Sequence, residues 1–167
     1  MLVDVNMKVL LIVLLSIGFS TRASAQTPPD FSGTWVFDQA KSLKPGPDGR
    51  VVLAPMLGDE VVVLQRDMSI TFRISFQGDT VVAVYDLTGA ETENISPGDI
   101  KVRSRASWEG EKLVIASTSG GEEAGKPITI SSRRLIWIDQ TGDLIVERSG
   151  TPATQVTASR SVYRRVR

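Results

Sequence analysis

The 167-residue chain contains no cysteine and no histidine. Without these side chains it cannot build the Ser-His-Asp and Cys-His nucleophile systems, carry out thiol redox chemistry or offer zinc its usual ligands. No disulfide can form, so stability must come from burial and hydrogen bonding. The sequence therefore predicts no metal site and no cofactor, and it leaves few options for catalysis.

An excess of charge of one sign is also missing. Lysine and arginine number 19, aspartate and glutamate number 19, and the formal net charge is zero. Binding to DNA or RNA depends largely on basic side chains that displace counterions from phosphates. We therefore expect no nucleic-acid partner. Hydrophobic residues make up 41% and charged residues 23% of the chain, which is typical of a soluble domain with one core.

The longest apolar run lies near the N-terminus. Lys8 precedes the run from Val9 to Phe19, and Ala23-Ser24-Ala25 has the small residues of a cleavage site. A transmembrane helix needs about 20 apolar residues, and this run is much shorter. We predict that residues 1–25 are a signal peptide cleaved near Ala25 and that the chain is exported, to the periplasm or the medium. Residues 26–167 then form one mature domain without a membrane span.

Alternation of apolar and polar residues dominates the rest of the chain. In Ile70–Phe76 every second residue is apolar, which is the pattern of a strand with one buried face and one solvated face. Further segments rich in β-forming residues follow the same trend. They are Thr34–Phe37, Glu60–Gln65, Thr80–Leu87, Ile100–Trp108, Lys112–Ser117, Pro127–Ile138, Asp143–Arg148 and Val156–Arg165. Short turn signals between them favour antiparallel hairpins.

Two segments interrupt this pattern. Lys41–Gly58, rich in proline and glycine, is predicted to be a long loop, and Ser117–Lys126 a flexible hairpin tip; helix should be nearly absent. A meander of eight to ten antiparallel strands loses its exposed edges by closing on itself. The fold class predicted is therefore all-β, an antiparallel up-and-down barrel. A β-sandwich is the alternative, because the strand spacing is compatible with both.

The first predicted strand carries a motif found in known barrels. Phe31-Ser32-Gly33-Thr34-Trp35 resembles the Gly-x-Trp that opens lipocalins and the Gly-Thr-Trp that opens fatty-acid-binding proteins, both of the calycin group. Together with Ala40-Lys41-Ser42, Trp108–Leu113 and the closing Val162–Arg165, it makes the chain similar to exported bacterial lipocalin-like proteins, most of them uncharacterised. The resemblance covers nearly all of the mature chain and implies a lipocalin-like barrel.

The resemblance also implies roles for residues at the two ends. In these families an arginine of the last strand packs over the first-strand tryptophan and closes the barrel. Arg160, Arg164 and Arg165 are candidates, and we assign this closure to Gly33, Trp35 and Arg164. Fatty-acid-binding proteins also end in an Arg-x-Tyr pair that holds a carboxylate, but Ser161 stands two residues before Tyr163, where that arginine would be.

Large side chains on the strands are the candidates for a ligand site, because small-molecule pockets are mostly apolar with a few polar anchors. The residues predicted to bind a ligand are Phe72, Ile74, Tyr85, Trp108, Trp137, Tyr163 and Arg165. The alternative for each apolar one is that it fills a packed core. Arg103 and Arg105 are predicted to face solvent, and Asp139–Asp143 to form a hairpin turn rather than a calcium site.

Three kinds of function are compatible with this sequence. The first, which we favour, is an exported carrier that encloses a small apolar molecule in a cavity of a few hundred cubic ångströms. The second is a packed barrel of the cell envelope that docks an unknown protein partner through the loop at 41–58. The third is a histidine-free cavity enzyme, such as an isomerase or cyclase, that needs at least one buried acid or base. Its candidate groups are Asp86, Glu91, Glu93, Tyr85 and Tyr163.

Overall fold

The structure is a computed structural model, and it describes residues 27–42, 55–76, 78–154 and 158–166. The predicted signal peptide and most of the loop at 41–58 lie outside these residues. The described elements are β1 Gly33–Phe37, α1 Gln39–Ser42, β2 Glu60–Arg66, β3 Ser69–Phe76, β4 Asp79–Asp86, β5 Glu91–Ser96, β6 Ile100–Glu109, β7 Lys112–Glu123, β8 Lys126–Ile138, β9 Leu144–Thr151 and β10 Ser159–Arg165. No helix within these ranges is both long enough and apolar enough to cross a bilayer.

All ten strands belong to one antiparallel sheet, in the order β4-β3-β2-β1-β10-β9-β8-β7-β6-β5. Each strand pairs with its neighbours in sequence except β4 and β5, which form the two edges of the sheet. The first strand pairs with the last, with Trp35 opposite Arg165. Between β4 and β5, the side chain of Asn94 bridges the two strands. It accepts a hydrogen bond from the Val84 N–H at 2.8 Å and donates one to the Val84 carbonyl at 3.0 Å. The predicted all-β, up-and-down, nearly closed barrel is confirmed, and the sandwich is not formed.

Two local predictions differ from the structure. Strand β5, Glu91–Ser96, was not predicted, because the residues of both its faces are almost all polar. The segment predicted to be a flexible hairpin tip, 117–126, is instead mostly regular antiparallel strand. β7 and β8 pair as far as Glu123 opposite Lys126. One helical turn, α1, follows β1, and the Ser42 hydroxyl at its end accepts a hydrogen bond from the Val162 N–H at 2.9 Å.

Aromatic side chains fill the end of the barrel at which β1 begins. Trp35 is fully buried, its Nε1 donates to the Phe31 carbonyl at 2.9 Å, and the Phe31 and Trp108 rings lie 5.4 Å apart. The guanidinium of Arg165 lies 4.6 Å above the Trp35 ring, a contact worth roughly 0.5–1 kcal/mol at an accessible site. Arg165 therefore holds the position that we assigned to Arg164. The register explains this, because Arg165 is opposite Trp35 and shares its face, whereas Arg164 is opposite Val36 and points outward.

Candidate functional site

The other part of the barrel interior is hollow. A cavity of about 430 Å³ lies between strands β3–β4 on one side and β6–β9 on the other. Ile95, Pro97 and Ile100 of the β5–β6 hairpin border its mouth, where Ile95 is 49% and Ile100 45% exposed. This volume lies in the range of small-molecule sites.

One wall of the cavity is apolar. Ile74 of β3 and Val81 and Ala83 of β4 line it, together with Met56 from the segment before β2. Gly58 positions that segment, because its φ of 71° suits glycine and a Cβ there would collide with the Ser75 carbonyl. The segment is also tied to the barrel across the molecule, since the Leu57 N–H donates a hydrogen bond of 2.7 Å to the Tyr163 hydroxyl.

Two arginines stand on the opposite wall. Arg134 of β8 and Arg148 of β9 are direct cross-strand partners, and both line the cavity. Arg134 Nη2 donates to the Tyr85 hydroxyl at 3.1 Å. Burial and, next, the positive charge of Arg134 lower the pKa of Arg148. No aspartate or glutamate is among the lining residues described, and neither arginine forms an ion pair with a described carboxylate. The cavity therefore carries two positive charges that no described carboxylate compensates.

Serine side chains continue this polar wall beside the arginines. Ser117 of β7 and Ser132 of β8 are cross-strand partners, and Ser104 of β6 is the partner of Ser117 on its other side. The Ser104 and Ser117 hydroxyls are buried and hydrogen-bonded to each other at 2.8 Å. The cavity is thus two-sided, with hydrocarbon on β3–β4 and with hydroxyl and guanidinium groups on β7–β9, where Val102 of β6 and Ile130 of β8 lie beside them.

A second depression, of about 350 Å³, lies against the outer face of β6–β9 and is more open than the cavity. Three arginines line it, but each is matched by a glutamate. Arg103 lies near Glu93, Arg105 near Glu91, and Arg133 binds Glu109 through both carboxylate oxygens. Because glutamates compensate its arginines, a bound anion would gain much less electrostatic stabilisation in this depression than in the cavity. Arg103 and Arg105 are exposed, as we predicted.

The residues predicted to bind a ligand lie in several environments. Ile74 and Tyr85 line the cavity. Phe72 packs edge-on against Tyr85 with ring centroids 5.8 Å apart, and Tyr163 packs against Phe37 at 5.6 Å, both in the buried core.

The remaining three lie away from the cavity. Trp108 packs against Phe31 at the aromatic end, where Arg165 also lies over Trp35. Trp137 is opposite Ile145 on the outer face, with Lys112 Nζ 4.4 Å from its ring centroid.

Arg134 and Arg148 are the residues that sequence reasoning missed. Strand β8 has apolar side chains at both odd and even positions, so its sequence does not show which face points inward. Taking Trp137 as inward places Arg134 on the outside. A usable signal was the face formed by Ile130, Ser132, Arg134, Ile136 and Ile138, on which one serine and one arginine interrupt a row of isoleucines.

The acids proposed for catalysis do not line the cavity. The Thr88 hydroxyl lowers the pKa of Asp86, and Lys101, assisted by Arg103, lowers the pKa of Glu93. Glu91 and Glu93 are exposed. Since an acid or base of a cavity enzyme needs burial and a raised carboxyl pKa, these three groups give the enzyme hypothesis no support.

Comparison with solved structures agrees with this architecture. The fluorescent protein UnaG, in the crystal structure of a single-site mutant, has a TM-score of 0.54 and 21% identity over 82% of this chain and 96% of its own. The Caenorhabditis elegans lipid binding protein 8 has a TM-score of 0.55 and 14% identity, over 81% of this chain and 95% of its own.

A third neighbour, the REP1-NXSQ fatty acid transporter, has a TM-score of 0.56 and 12% identity over 81% of this chain and 96% of its own. The fold is that of the calycin-like barrels. Similarity at these identities shows the fold alone. No protein-family model and no curated protein matches the sequence.

Proposed function

We propose that this calycin-like barrel is a carrier for an amphipathic small molecule with an anionic head, held in the cavity between β3–β4 and β6–β9. The observation that carries the proposal is the pair Arg134 and Arg148, two like charges on adjacent strands with no described carboxylate beside them. Uncompensated charge in a partly desolvated site is unfavourable, and a bound anion removes that cost. Guanidinium groups bind carboxylates in a bidentate manner.

The rest of the cavity fits the other end of such a ligand. Met56, Ile74, Val81 and Ala83 offer hydrocarbon contacts opposite the arginines. Tyr85 accepts a hydrogen bond from Arg134, so its own hydroxyl proton is available to a ligand oxygen. A hollow interior also counts against the packed interaction module. Two of the structural neighbours are a lipid binding protein and a fatty acid transporter, which supports a ligand of this type.

The binding test uses hexadecanoate and isothermal titration calorimetry at pH 7. We expect one molecule to bind per chain, and Arg148→Met and Arg134→Met each to weaken binding about tenfold to a hundredfold, because a hydrogen bond to a charged group is worth about 1.5–3 kcal/mol. Methionine keeps the length and apolar stem of the side chain.

Arg133→Met is the matched control, because Arg133 is adjacent to Arg134 but points outward to Glu109. It should bind hexadecanoate like the parent protein. Equal affinity of Arg148→Met, Arg134→Met and the parent protein would show that the arginine pair does not hold the head group.

We also propose that the protein works outside the cytoplasm. The support is the N-terminal pattern of Lys8, the apolar run and Ala23-Ser24-Ala25, which lies outside the described residues. N-terminal sequencing of the protein expressed in its own cells should give Gln26 as the first residue, in the periplasmic or medium fraction. Recovery of a cytoplasmic chain that begins at Met1 or Met7 would contradict export.

A further inference from the structure

The polar wall of the cavity extends well beyond the arginine pair. In the register of the sheet, Ser132 lies opposite Ser117, and Ser117 opposite Ser104. Residues two apart on a strand share a face, so Ser132 lies on the inward face beside Arg134, and Ser119 lies beside Ser117. At about 3.4 Å per residue, Ser132 is roughly 7 Å along its strand from Arg134, and Ser119 lies farther still.

Two of these hydroxyls are available to a ligand. Ser119 and Ser132 both line the cavity and are partly buried, and neither side chain bonds to another described residue. By contrast, Ser104 and Ser117 satisfy each other. A plain alkyl chain lying against Ser119 and Ser132 would exclude solvent from their hydroxyls. It would offer no hydrogen bond in place of those lost to water. Such a site discriminates against a ligand that lacks the matching polar group.

We propose that the ligand of this cavity is an oxygenated amphiphile, which carries a hydroxyl or a similar hydrogen-bonding oxygen on its body a few carbon atoms from the anionic head. This inference rests on the proposed carrier function and specifies its ligand class. The head lies at Arg134 and Arg148, the ligand oxygen at Ser132 or Ser119, and the hydrocarbon face against Ile74, Val81 and Ala83.

The test compares hexadecanoate with its 3-hydroxy, 6-hydroxy and 16-hydroxy derivatives by titration calorimetry. We expect the 3-hydroxy or the 6-hydroxy acid to bind about threefold to tenfold more tightly than hexadecanoate, the gain of one neutral hydrogen bond. The 16-hydroxy acid should gain nothing, because its hydroxyl lies at the far end of the chain. Carboxylate and chain length are the same in all four ligands, so the comparison isolates the hydroxyl.

The double variant Ser119→Ala, Ser132→Ala should abolish this preference, so that the 3-hydroxy and 6-hydroxy acids bind no more tightly than hexadecanoate does. Each change removes one hydroxyl and adds no bulk, so we expect the fold to be preserved. Ser131→Ala is the matched control, because Ser131 is adjacent to Ser132 but belongs to the opposite face of β8 and lines the outer depression. It should keep the full preference.

The possible failures can be told apart. If hexadecanoate binds through the arginines and equals or exceeds every hydroxylated acid, the carrier stands and the oxygenated ligand class is wrong. A preference that survives in the double variant would also overturn the inference, since another group would then bind the oxygen. If none of the four acids binds, the proposed carrier function fails and the inference fails with it.

Discussion

At the scale of single residues, the interior of this barrel contains two side chains with unusual surroundings. Arg148 is half-buried, faces Arg134 and lacks an acidic partner among the described residues. Tyr163 is buried, and burial raises the pKa of its hydroxyl well above the ordinary value of 10.0. The two residues have different roles. The proposed carrier function assigns the arginine to the ligand, whereas the tyrosine stabilises the fold, because its oxygen accepts the Leu57 N–H.

Tyr163 should make the fold sensitive to alkali. In the unfolded chain its hydroxyl ionises near pH 10, while in the folded chain it stays protonated to higher pH. Its contribution to stability is therefore complete below pH 10 and is lost as the pH rises above that, at about 1.4 kcal/mol per pH unit. Tyr163→Phe should lose about 1–3 kcal/mol at pH 8, because the Leu57 N–H is left without its acceptor, and should show a shallower decline above pH 10.

Urea unfolding of both proteins between pH 8 and pH 11 measures this difference. The gap in free energy of unfolding between the parent protein and Tyr163→Phe should narrow as the pH rises above 10. If the two curves run parallel through that range, Tyr163 does not titrate differently in the folded and unfolded states.

At the scale of elements, the gap between β4 and β5 is the weak point of the cylinder. In place of a backbone ladder, the Asn94 amide makes two hydrogen bonds to the backbone of Val84. The gap lies beside the cavity, whose lining includes Tyr85 of β4 and Asn94 of β5. Opening of β5 away from β4 would thus expose the cavity.

Asn94→Ala should loosen this gap. We expect the Val84 amide to exchange its hydrogen at least about tenfold faster, and stability to fall by about 0.5–1.5 kcal/mol for each exposed hydrogen bond lost. Hydrogen exchange followed by NMR measures the first effect. Ala83, also on β4, provides the internal reference. Unchanged exchange at Val84 would mean that the Asn94 side chain does not hold the two strands together.

Elements also show where sequence reasoning succeeds and where it stops. Strand β3 was predicted from its alternation, because one face packs in the core and the other is solvated. Strand β5 was missed, since its inward residues Thr92, Asn94 and Ser96 are polar. The inward face of β8 was predicted wrongly. Apolar side chains occur at both its odd and its even positions, so only the register of the sheet shows which face points inward. In both strands the alternation fails where the barrel turns a polar surface toward its cavity.

At the scale of the whole molecule, the barrel is filled at one end and hollow elsewhere. The motif around Trp35 and the closing strand could be recognised in the sequence, and they build the filled end, where Arg165 covers Trp35. The hollow part could not be predicted, because a cavity depends on which face of each strand points inward and on how far Met56 and Gly58 reach over β3. The packed aromatic end stabilises the fold, and the proposed ligand site lies apart from it, in the hollow part.

The most direct measurement of the central claim is the ionisation of the bound head group. Hexadecanoate labelled with carbon-13 at its carboxyl group reports that ionisation through its NMR shift. Two guanidinium groups favour the carboxylate form, so the bound carboxyl should titrate below about pH 4, lower than an unperturbed carboxyl. A bound carboxyl that titrates at or above the pH of an unperturbed one would place the head group away from Arg134 and Arg148 and contradict the account.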